Sequence, residues 1–346
     1  MPEDLRDRIG QMVLVGFRGM DALEAQPTIR NIEDGSVGSV VLYDVDAETG
    51  GMRNIQSRDQ VRELTATLKA ASEIPVLVCV DAEGGFYHRL KEKYGFGPTT
   101  PAADMGIRDD LEFTYGASGV IASQIAEVGI DMNFAPVLDL LNPANLTVSS
   151  RRRSLSTDPA RVTAHARQFI RAHHEHGVLT TAKHFPGMAG VLRPYSPGLG
   201  ELMESWSEDE LKPYRDLIGE GILDAVLTTR VTHMELDPDY PGCLSRKIVD
   251  GLLRKEIGFD GVVISDAMEM MAIWGVHGFE RGTIMAVNAG VDLLLYCNQS
   301  GIVHYSERGP EVVRVILEAV HRGEIAESRI DEACGRVLAL KARLRS

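Results

Sequence analysis

The chain has 346 residues, of which 44% are apolar and 25% are charged, a composition typical of a soluble globular protein with a sizeable core. This balance excludes a disordered chain. The net charge of −14 excludes the basic surface that nucleic acids and anionic lipid headgroups attract, and the run Arg151-Arg152-Arg153 is too short to reverse it.

The N-terminal segment MPEDLRDRIGQMVLVGF carries acidic residues where a secretion signal needs basic ones, and its apolar run is too short to cross a bilayer. We therefore expect a cytoplasmic protein with no membrane partner. The cysteines show neither CxxC nor Cys/His ligand spacing, so we expect reduced, mostly buried thiols. They are Cys79, Cys243, Cys297 and Cys334.

Eight short apolar, β-branched runs recur along the chain and predict eight strands. In chain order they begin at Met12 (MVLVGF), Ser39 (SVVLY), Pro75 (PVLVCVD), Asp131 (DMNFAP), Leu179 (LTTAKHF), Ala225 (AVLTT), Gly261 (GVVISD) and Asp292 (DLLLY). The runs are continuously hydrophobic, as in parallel strands that are covered on both faces.

Helical patterns lie between these runs. Four sites carry helix start signals, two of them as capping boxes. The four sites are Ser57 with Gln60, Asp158 with Pro159, Ser207 with Glu210, and Ser245. Two more amphipathic helices are predicted between Glu311 and Leu344.

Strands that alternate with helices favour an α/β protein, specifically a (β/α)8 TIM-type barrel, and no linker divides residues 1–346, so we predict a single domain. A doubly wound open sheet is the alternative. That fold should begin with a Gly-rich phosphate turn, whereas the first strand here runs into GFRGMDALEA, which lacks GxGxxG spacing.

Polar residues follow the apolar runs, at the end of a barrel where active sites lie. They are Asp81, Glu83 and Arg89 after the third run, Asp139 and Arg151 to Arg153 after the fourth, Lys183 and His184 in the fifth, Thr229 and Arg230 after the sixth, and Ser265 and Asp266 in the seventh. Charged residues at strand ends can simply satisfy loop backbone or pair with each other. Their convergence at five strand ends instead favours a pocket for a small, hydroxyl-rich ligand.

Several segments resemble glycoside hydrolase family 3, in particular its single-domain β-N-acetylglucosaminidase (β-N-acetylhexosaminidase) branch. DAEGGFYHRL is similar to the family's DQEGGRVxRL, and IDMNFAPVLDL with RRRSLSTDP is similar to INLNFAPVxD and RSFxxDP. KHFPG is shared, and LLRKEIGFDGVVISDAMEM resembles LLRxELGFDGVVISDDLxM. The resemblance covers nearly the whole chain and implies a (β/α)8 barrel.

The resemblance also implies a retaining hydrolase whose nucleophile is the Asp of the SD motif, here Asp266. It assigns the terminal sugar's hydroxyl groups to Asp81, Arg89, Arg153, Lys183 and His184. The expected partner is a small carbohydrate with a terminal N-acetylated or related hexose. No cofactor or metal is implied, and nothing in the spacing of Asp81, Asp139 and Asp266 demands a metal site.

The family's acid/base pattern, KHFPGHGxxxxDSH, is broken in this chain. An ungapped alignment places Met188 at the first His, Pro194 at the Asp and Ser196 at the final His, so both members of the His/Asp dyad are missing. Phe86 also replaces Arg, Ala267 replaces the second Asp of SDD, and Arg230 replaces a common His.

Four residues could replace the lost proton donor. Tyr195, Glu201 and Glu204 lie in the same loop, where the two glutamates are typical of a solvated surface, and His88 follows an aromatic pair that indicates packing. Arg193 cannot donate a proton but could bind an anionic substrate.

Three hypotheses therefore stay open. The first is a retaining glycoside hydrolase with an altered or lost acid/base loop. The second is a sugar-binding pseudoenzyme on the same barrel. The third is a lyase in which Lys183 forms a Schiff base with a carbonyl substrate.

Overall fold

The computed structural model describes residues 1–145, 147–190, 192–194, 201–203, 205–299 and 305–344. Within these ranges eight of the strands build one parallel sheet. In chain order the strands are β1 (Val13–Gly16), β2 (Ser39–Leu42), β3 (Leu77–Val80), β4 (Met132–Asn133), β5 (Leu179–Phe185), β6 (Leu192–Pro194), β7 (Glu201–Met203), β8 (Ala225–Thr228), β9 (Thr232–His233), β10 (Val262–Ile264) and β11 (Leu294–Tyr296).

The parallel sheet curls into a barrel with the strand order β10-β8-β5-β4-β3-β2-β1-β11. A parallel bridge between Ile264 and Leu293 joins the two end strands and closes the ring. All eight predicted strands are present in this barrel, which confirms the (β/α)8 fold class. The open-sheet alternative is wrong.

Helices lie between successive barrel strands. In chain order they are α1 (Leu5–Gly10), α2 (Gln26–Glu33), α3 (Arg58–Ala70), α4 (Ala102–Arg108), α5 (Leu111–Glu127), α6 (Pro159–Glu175), α7 (Lys212–Gly219), a π-helical segment (Lys247–Glu256), α8 (Trp274–His277), α9 (Phe279–Ala289), α10 (Arg308–His321) and α11 (Glu327–Lys341). Short 3₁₀ turns cover Glu92–Tyr94, Ser149–Arg151, Glu208–Leu211 and Gly242–Leu244.

Three of the predicted helix starts form as expected. The Ser57 hydroxyl accepts from the N–H of Gln60 at 3.2 Å, and Asp158 accepts from the N–H of Ala160 at 2.9 Å. The Ser245 hydroxyl accepts from the N–H of Ile248 at 3.2 Å. Each cap satisfies a backbone donor that the first helical turn leaves without a partner.

The barrel strands are hydrophobic on both faces because each contributes to two cores. In β2, Val40 and Leu42 pack outward against the helices, while Val41 points inward and packs with Leu14 and Leu77. This double burial explains why the sequence runs are continuous rather than alternating.

Three aspartates stand immediately before barrel strands and fix the register at the N-terminal end. Asp131, Asp224 and Asp292 precede β4, β8 and β11. They accept from the backbone N–H groups of Val78, Thr180 and Val263 at 2.9, 2.8 and 2.9 Å. Each carboxylate thus ties its own strand to the preceding strand of the ring.

A small second sheet lies beside the C-terminal end of β5. In it β6 pairs antiparallel with β7, and β7 pairs parallel with β9. The sequence predicts only a loop here, because the strands have two or three residues and lie among glycines and prolines.

Across the described chain, no helix combines the length and the apolar character that crossing a bilayer requires.

Candidate active site

A cavity of about 360 Å³ opens at the C-terminal ends of the barrel strands. Its walls include Asp81 after β3, Lys183 in β5, Arg230 after β8 and Asp266 after β10. Parallel strands bring these ends together at one rim, so Asp81 and Asp266 line the same cavity although they are 185 positions apart in sequence.

A network of ion pairs forms one wall of the cavity. Lys183 Nζ lies 2.9 Å from Asp81 Oδ1 and 2.7 Å from Glu83 Oε1. Arg153 approaches Glu83 with two parallel N–H donors, Nε to Oε2 and Nη2 to Oε1, each at 2.8 Å. Bidentate pairing of this kind fixes the guanidinium plane and leaves its remaining donors for a ligand.

Both carboxylates of this network remain ionised. Burial alone would raise the pKa of Glu83, but the charges of Arg153 and Lys183 outweigh it and lower that pKa to about 2. Burial opposes ionisation of Asp81 as well, and Lys183 and Arg89 lower its pKa below the ordinary value. These side chains are therefore hydrogen-bond acceptors and cannot donate a proton.

Arg89 supports the cavity wall from behind. Its Nη2 lies 3.7 Å from Asp81 Oδ2, and its Nη1 lies 3.3 Å from the buried carboxylate of Asp44. The guanidinium also stacks 5.3 Å from the ring centre of Tyr43, which lines the cavity. The sequence resemblance predicts that Arg89 is one of the residues that bind the sugar. In the structure its contacts hold Asp81 and Tyr43 in place.

His184 is oriented by a buried aspartate. Its Nδ1 lies 2.6 Å from Asp139 Oδ2, and its Nε2 lies 3.3 Å from Arg153 Nη2. Asp139 also accepts from the backbone N–H of Met188 at 2.8 Å. The sequence indicates Asp139 only as a polar residue after the fourth strand, and its pairing with His184 depends on how β4 and β5 lie side by side.

Asp266 projects into the cavity and is held by three donors. Its Oδ2 accepts from the backbone N–H of Arg230 at 3.1 Å and lies 3.4 Å from Arg230 Nη1. Its Oδ1 accepts from the N–H of Ala267 at 2.7 Å. The residue that departs from the family pattern at position 230 is thus in direct contact with the predicted nucleophile.

The altered acid/base loop is only partly described. Met188 is buried, lines the cavity and packs with Val137, Val148 and Met203. Pro194 ends β6, and Glu201 begins β7. The predictions that concern Tyr195, Ser196 and Glu204 lie outside the described residues. A thioether at position 188 offers no acidic proton.

Two histidines near the site are buried. His88 lies outside the cavity walls, and burial lowers its pKa to about 4. His233 in β9 packs edge-on to Trp206, and burial lowers its pKa to about 4 as well. Within the described residues, neither ring nitrogen of His233 has a hydrogen-bond partner. Nothing in the sequence distinguishes His233 from a surface histidine.

Glu210 shows where the capping-box prediction is wrong. Ser207 caps the turn alone, accepting from the N–H of Asp209 at 3.2 Å, while the Glu210 side chain turns inward. Its Oε2 accepts from the N–H of Ala189 at 2.8 Å. A Cβ added to Gly187, which has a φ of +124°, would lie 2.4 Å from the same oxygen. Glycine ends the KHFPG segment because the Glu210 carboxyl occupies that space.

Glu210 is the protonatable group beside the altered loop. Burial, and then the charge of Asp139, raise its pKa to about 8, while the backbone N–H groups of Ala189 and Met188 act in the opposite direction. The folded protein therefore keeps Glu210 protonated at pH values well above the ordinary pKa of a glutamate.

We expect Glu210→Gln to change how stability depends on pH. Between the ordinary pKa of 4.5 and about 8, the folded wild type holds one more proton than the unfolded chain, so its free energy of unfolding falls as pH rises. Glutamine cannot ionise, so the variant should be more stable than wild type by about 4–5 kcal/mol at pH 9 and within about 1 kcal/mol of it at pH 5. Urea unfolding at both pH values measures this.

The exposed Glu208, on the same turn, supplies the control. Glu208→Gln should follow the wild-type pH dependence. A Glu210→Gln variant with the wild-type slope would show that Glu210 is already ionised at neutral pH.

The three aspartates considered for a metal are separately engaged. Asp81 pairs with Lys183, Asp139 with His184, and Asp266 with Arg230. Across the described chain, His, Cys, Asp and Glu side chains form no group of three or more that could hold a metal ion.

A parallel barrel with paired charges around a cavity at its C-terminal rim is the architecture of barrel enzymes that act on small polar substrates. The sequence model of the glycosyl hydrolase family 3 N terminal domain matches residues 4–340. The chain belongs to this family.

Curated relatives and solved structures agree with this assignment. A beta-hexosaminidase of Xylella fastidiosa is 33% identical over 318 residues, covering 89% of this chain and 87% of the relative. A family 3 β-N-acetylglucosaminidase from a Paenibacillus species superimposes with a TM-score of 0.87 at 34% identity, over 99% of this chain and 63% of its own. The β-N-acetylhexosaminidase of Beutenbergia cavernae superimposes with a TM-score of 0.85 at 26% identity, and the match covers 99% of both chains.

Proposed function

We propose that the protein is a retaining glycoside hydrolase of the β-N-acetylhexosaminidase type, with Asp266 as nucleophile and weakened acid assistance to the leaving group. One observation carries the proposal: Asp266 faces the same cavity as Asp81, Arg153, Lys183 and His184. The names of the relatives support a terminal N-acetylated hexosamine as the sugar.

The cavity wall binds the sugar. Ionised Asp81 and Glu83 accept hydrogen bonds from its hydroxyl groups, and Arg153, Lys183 and His184 supply donors and fixed charge. Hydrogen bonds to charged groups contribute about 1.5–3 kcal/mol each when both partners are desolvated. Several such bonds are enough to orient one hexose ring toward Asp266.

Asp266 then attacks the anomeric carbon to form a glycosyl ester, and water releases the sugar with retained configuration. Both steps need proton transfer at the leaving or entering oxygen. Among the described cavity residues, Asp81 and Glu83 are ionised, and burial raises the pKa of both Tyr43 and Cys297 above their ordinary values. None of these four is an acid matched to neutral pH.

A pseudoenzyme is the second candidate, and the contact between Arg230 and Asp266 favours it, because a carboxylate held by a guanidinium is a weaker nucleophile. The lyase hypothesis has no comparable support, since Lys183 Nζ is paired with both Asp81 and Glu83.

Leaving-group dependence tests the proposal. We expect the 4-nitrophenyl N-acetyl-β-glucosaminide to be hydrolysed faster than the methyl glycoside by more than the ~10²–10⁴-fold that general acid catalysis normally supplies to poor leaving groups. Initial rates with both substrates measure this. Equal rates would show that an efficient proton donor is present after all.

A mechanism-based probe separates the hydrolase from the pseudoenzyme. Incubation with a slow 2-fluoro glycoside followed by mass spectrometry should reveal an adduct on Asp266. Sugar binding without an adduct and without turnover would support the pseudoenzyme instead.

A further inference from the structure

The charges that line the cavity are unequal in number. Among the residues that the structure describes, four cationic side chains and three anionic ones line it. Three ion pairs match Asp81 with Lys183, Glu83 with Arg153, and Asp266 with Arg230. Within the described residues Arg151 is the cavity cation for which no carboxylate partner is found. In a chain of net charge −14, a surplus positive charge at a sugar pocket indicates an anionic ligand group.

Two aromatic rings hold Arg151 at the cavity rim. Its guanidinium carbon lies 5.7 Å from the ring centre of Phe86 and 5.4 Å from that of Tyr87, and the two rings contact each other edge to face. Phe86 is 70% exposed, so its end of the cluster lies at the mouth, while Tyr87 lines the cavity and its ring centre lies 4.3 Å from the guanidinium carbon of Arg153. A guanidinium that rests on aromatic faces keeps its in-plane N–H donors available for an oxyanion.

The interior of the cavity and its mouth therefore differ in the groups that they offer to a leaving group. The carboxyl groups of Asp81 and Glu83, which line the cavity with Asp266, are ionised and cannot protonate a leaving oxygen, but at the mouth the described residues offer a cation. A leaving group that departs as a stable oxyanion needs no proton, and its charge would be matched by Arg151. An alkoxide is too basic to depart without a proton.

We propose that the natural substrate is a glycosyl phosphodiester, in which the sugar that Asp266 attacks is joined through a phosphate to a further group. The inference rests on the proposed function, because it names the leaving group for the same nucleophile. Arg151 binds the phosphate, and the group beyond it extends out of the cavity past Phe86.

The first step proceeds without a proton from the protein. An Asp266 carboxylate oxygen forms a bond to the anomeric carbon, the bond from that carbon to the phosphate oxygen breaks, and its electron pair leaves with the phosphate. The phosphodiester monoanion becomes a phosphate monoester dianion, and the charge of the carboxylate is consumed in the glycosyl ester.

The released phosphate also supplies the base for the second step. The second pKa of a phosphate monoester is about 6, so the dianion can accept the proton of the attacking water. Water forms a bond to the anomeric carbon, Asp266 leaves as carboxylate, and the phosphate becomes a monoanion. The substrate thus performs the proton transfer that the missing dyad performs in the family pattern.

Matched substrates test the proposal on the full-length protein. The N-acetyl-β-glucosaminyl methyl phosphate diester and methyl N-acetyl-β-glucosaminide carry the same methyl group and differ in the phosphate. We expect the phosphodiester to be hydrolysed with a kcat/KM at least ~10²-fold higher, after subtraction of the rate without enzyme. The 4-nitrophenyl glycoside, run in parallel, reports whether Asp266 chemistry occurs at all.

Neighbouring arginines provide matched variants. Arg151→Gln should lower the ratio of phosphodiester to nitrophenyl kcat/KM at least ~10-fold, as loss of one charge-assisted phosphate contact predicts. Arg152 pairs with Asp104 outside the cavity, so Arg152→Gln should leave that ratio unchanged. Circular dichroism confirms that both variants fold.

The outcomes separate the two proposals. Cleavage of the nitrophenyl glycoside with no advantage for the phosphodiester, or an Arg151→Gln ratio equal to wild type, would overturn the phosphodiester assignment and leave the hydrolase standing. Absence of both activities and of any adduct on Asp266 would overturn the hydrolase, and the phosphodiester assignment with it.

Discussion

Replacing Asp266 by asparagine is expected to lower kcat/KM for the 4-nitrophenyl glycoside by on the order of 10³-fold or more, because an amide cannot form the glycosyl ester that the proposed mechanism requires. The side chain keeps its size, but its single oxygen can accept from only one of the two N–H groups, of Arg230 or Ala267, that the two carboxylate oxygens of Asp266 bind separately. Sugar binding should survive, because the rest of the cavity wall is unchanged. Steady-state kinetics and calorimetry with N-acetylglucosamine measure the two effects separately.

Asp260 offers a control for this variant, because it lies at the opposite end of β10 with its side chain 96% exposed. Asp260→Asn should retain wild-type kcat/KM. An Asp266→Asn variant with activity within tenfold of wild type would remove Asp266 from the mechanism and direct attention to another carboxylate at the rim.

Replacing Glu83 by glutamine is expected to destabilise the folded protein by about 3–5 kcal/mol, as removal of one partner from a buried ion pair commonly does. Glu83 is buried and neutralises both Arg153 and Lys183. Without its charge, two cations face each other across a wall with one remaining carboxylate, Asp81. Urea unfolding at pH 7 measures the loss.

The same ion pairs predict how wild-type stability responds to acid. The pKa of Glu83 is about 2 in the folded protein and 4.5 ordinarily, so its contribution is fully present above pH 4.5 and is lost as pH falls towards 2. The difference corresponds to about 3 kcal/mol. Glu83→Gln should remove this part of the acid sensitivity, and unfolding curves between pH 2.5 and 6 would show it.

Glu332 provides the exposed comparison for Glu83. Its carboxylate lies 3.4 Å from Arg329 with the side chain 60% exposed, so Glu332→Gln should cost less than about 1 kcal/mol. If Glu83→Gln proved equally mild, the ion-pair wall would be a solvated cluster and not a buried element of the fold.

The barrel could be predicted from sequence because its signal is periodic and repeated eight times. Each run is short, yet the double burial of residues such as Val40 and Val41 makes it continuous, and the order of strands and helices fixes the topology. The small sheet of β6, β7 and β9 was not predictable, because strands of two or three residues have no measurable period.

The candidate site was predictable only in part. Motif positions identified Asp81, Arg153, Lys183, His184 and Asp266, which the structure brings to one cavity. Asp131 and Asp292 open their apolar runs, which places them at the N-terminal end of the barrel, but only the structure shows that their carboxylates act in strand register.

The sequence could not show which polar side chains are buried. Glu210 stands three residues after a serine, which is the spacing of a capping box, and only the packing of Gly187 and Ala189 against its carboxyl turns it inward. His233 likewise becomes a neutral core residue because Trp206 and the second sheet cover it. Both depend on contacts between distant segments.

Arg230 changes which inhibitors can recognise this pocket. Cationic ring analogues of a sugar gain affinity when their charge meets a bare nucleophilic carboxylate, whereas the Asp266 carboxylate already lies 3.4 Å from a guanidinium. A positive ring would have to compete with Arg230 for the same oxygen. Neutral analogues that match the hydroxyl pattern of the proposed sugar should therefore bind this protein better than cationic ones.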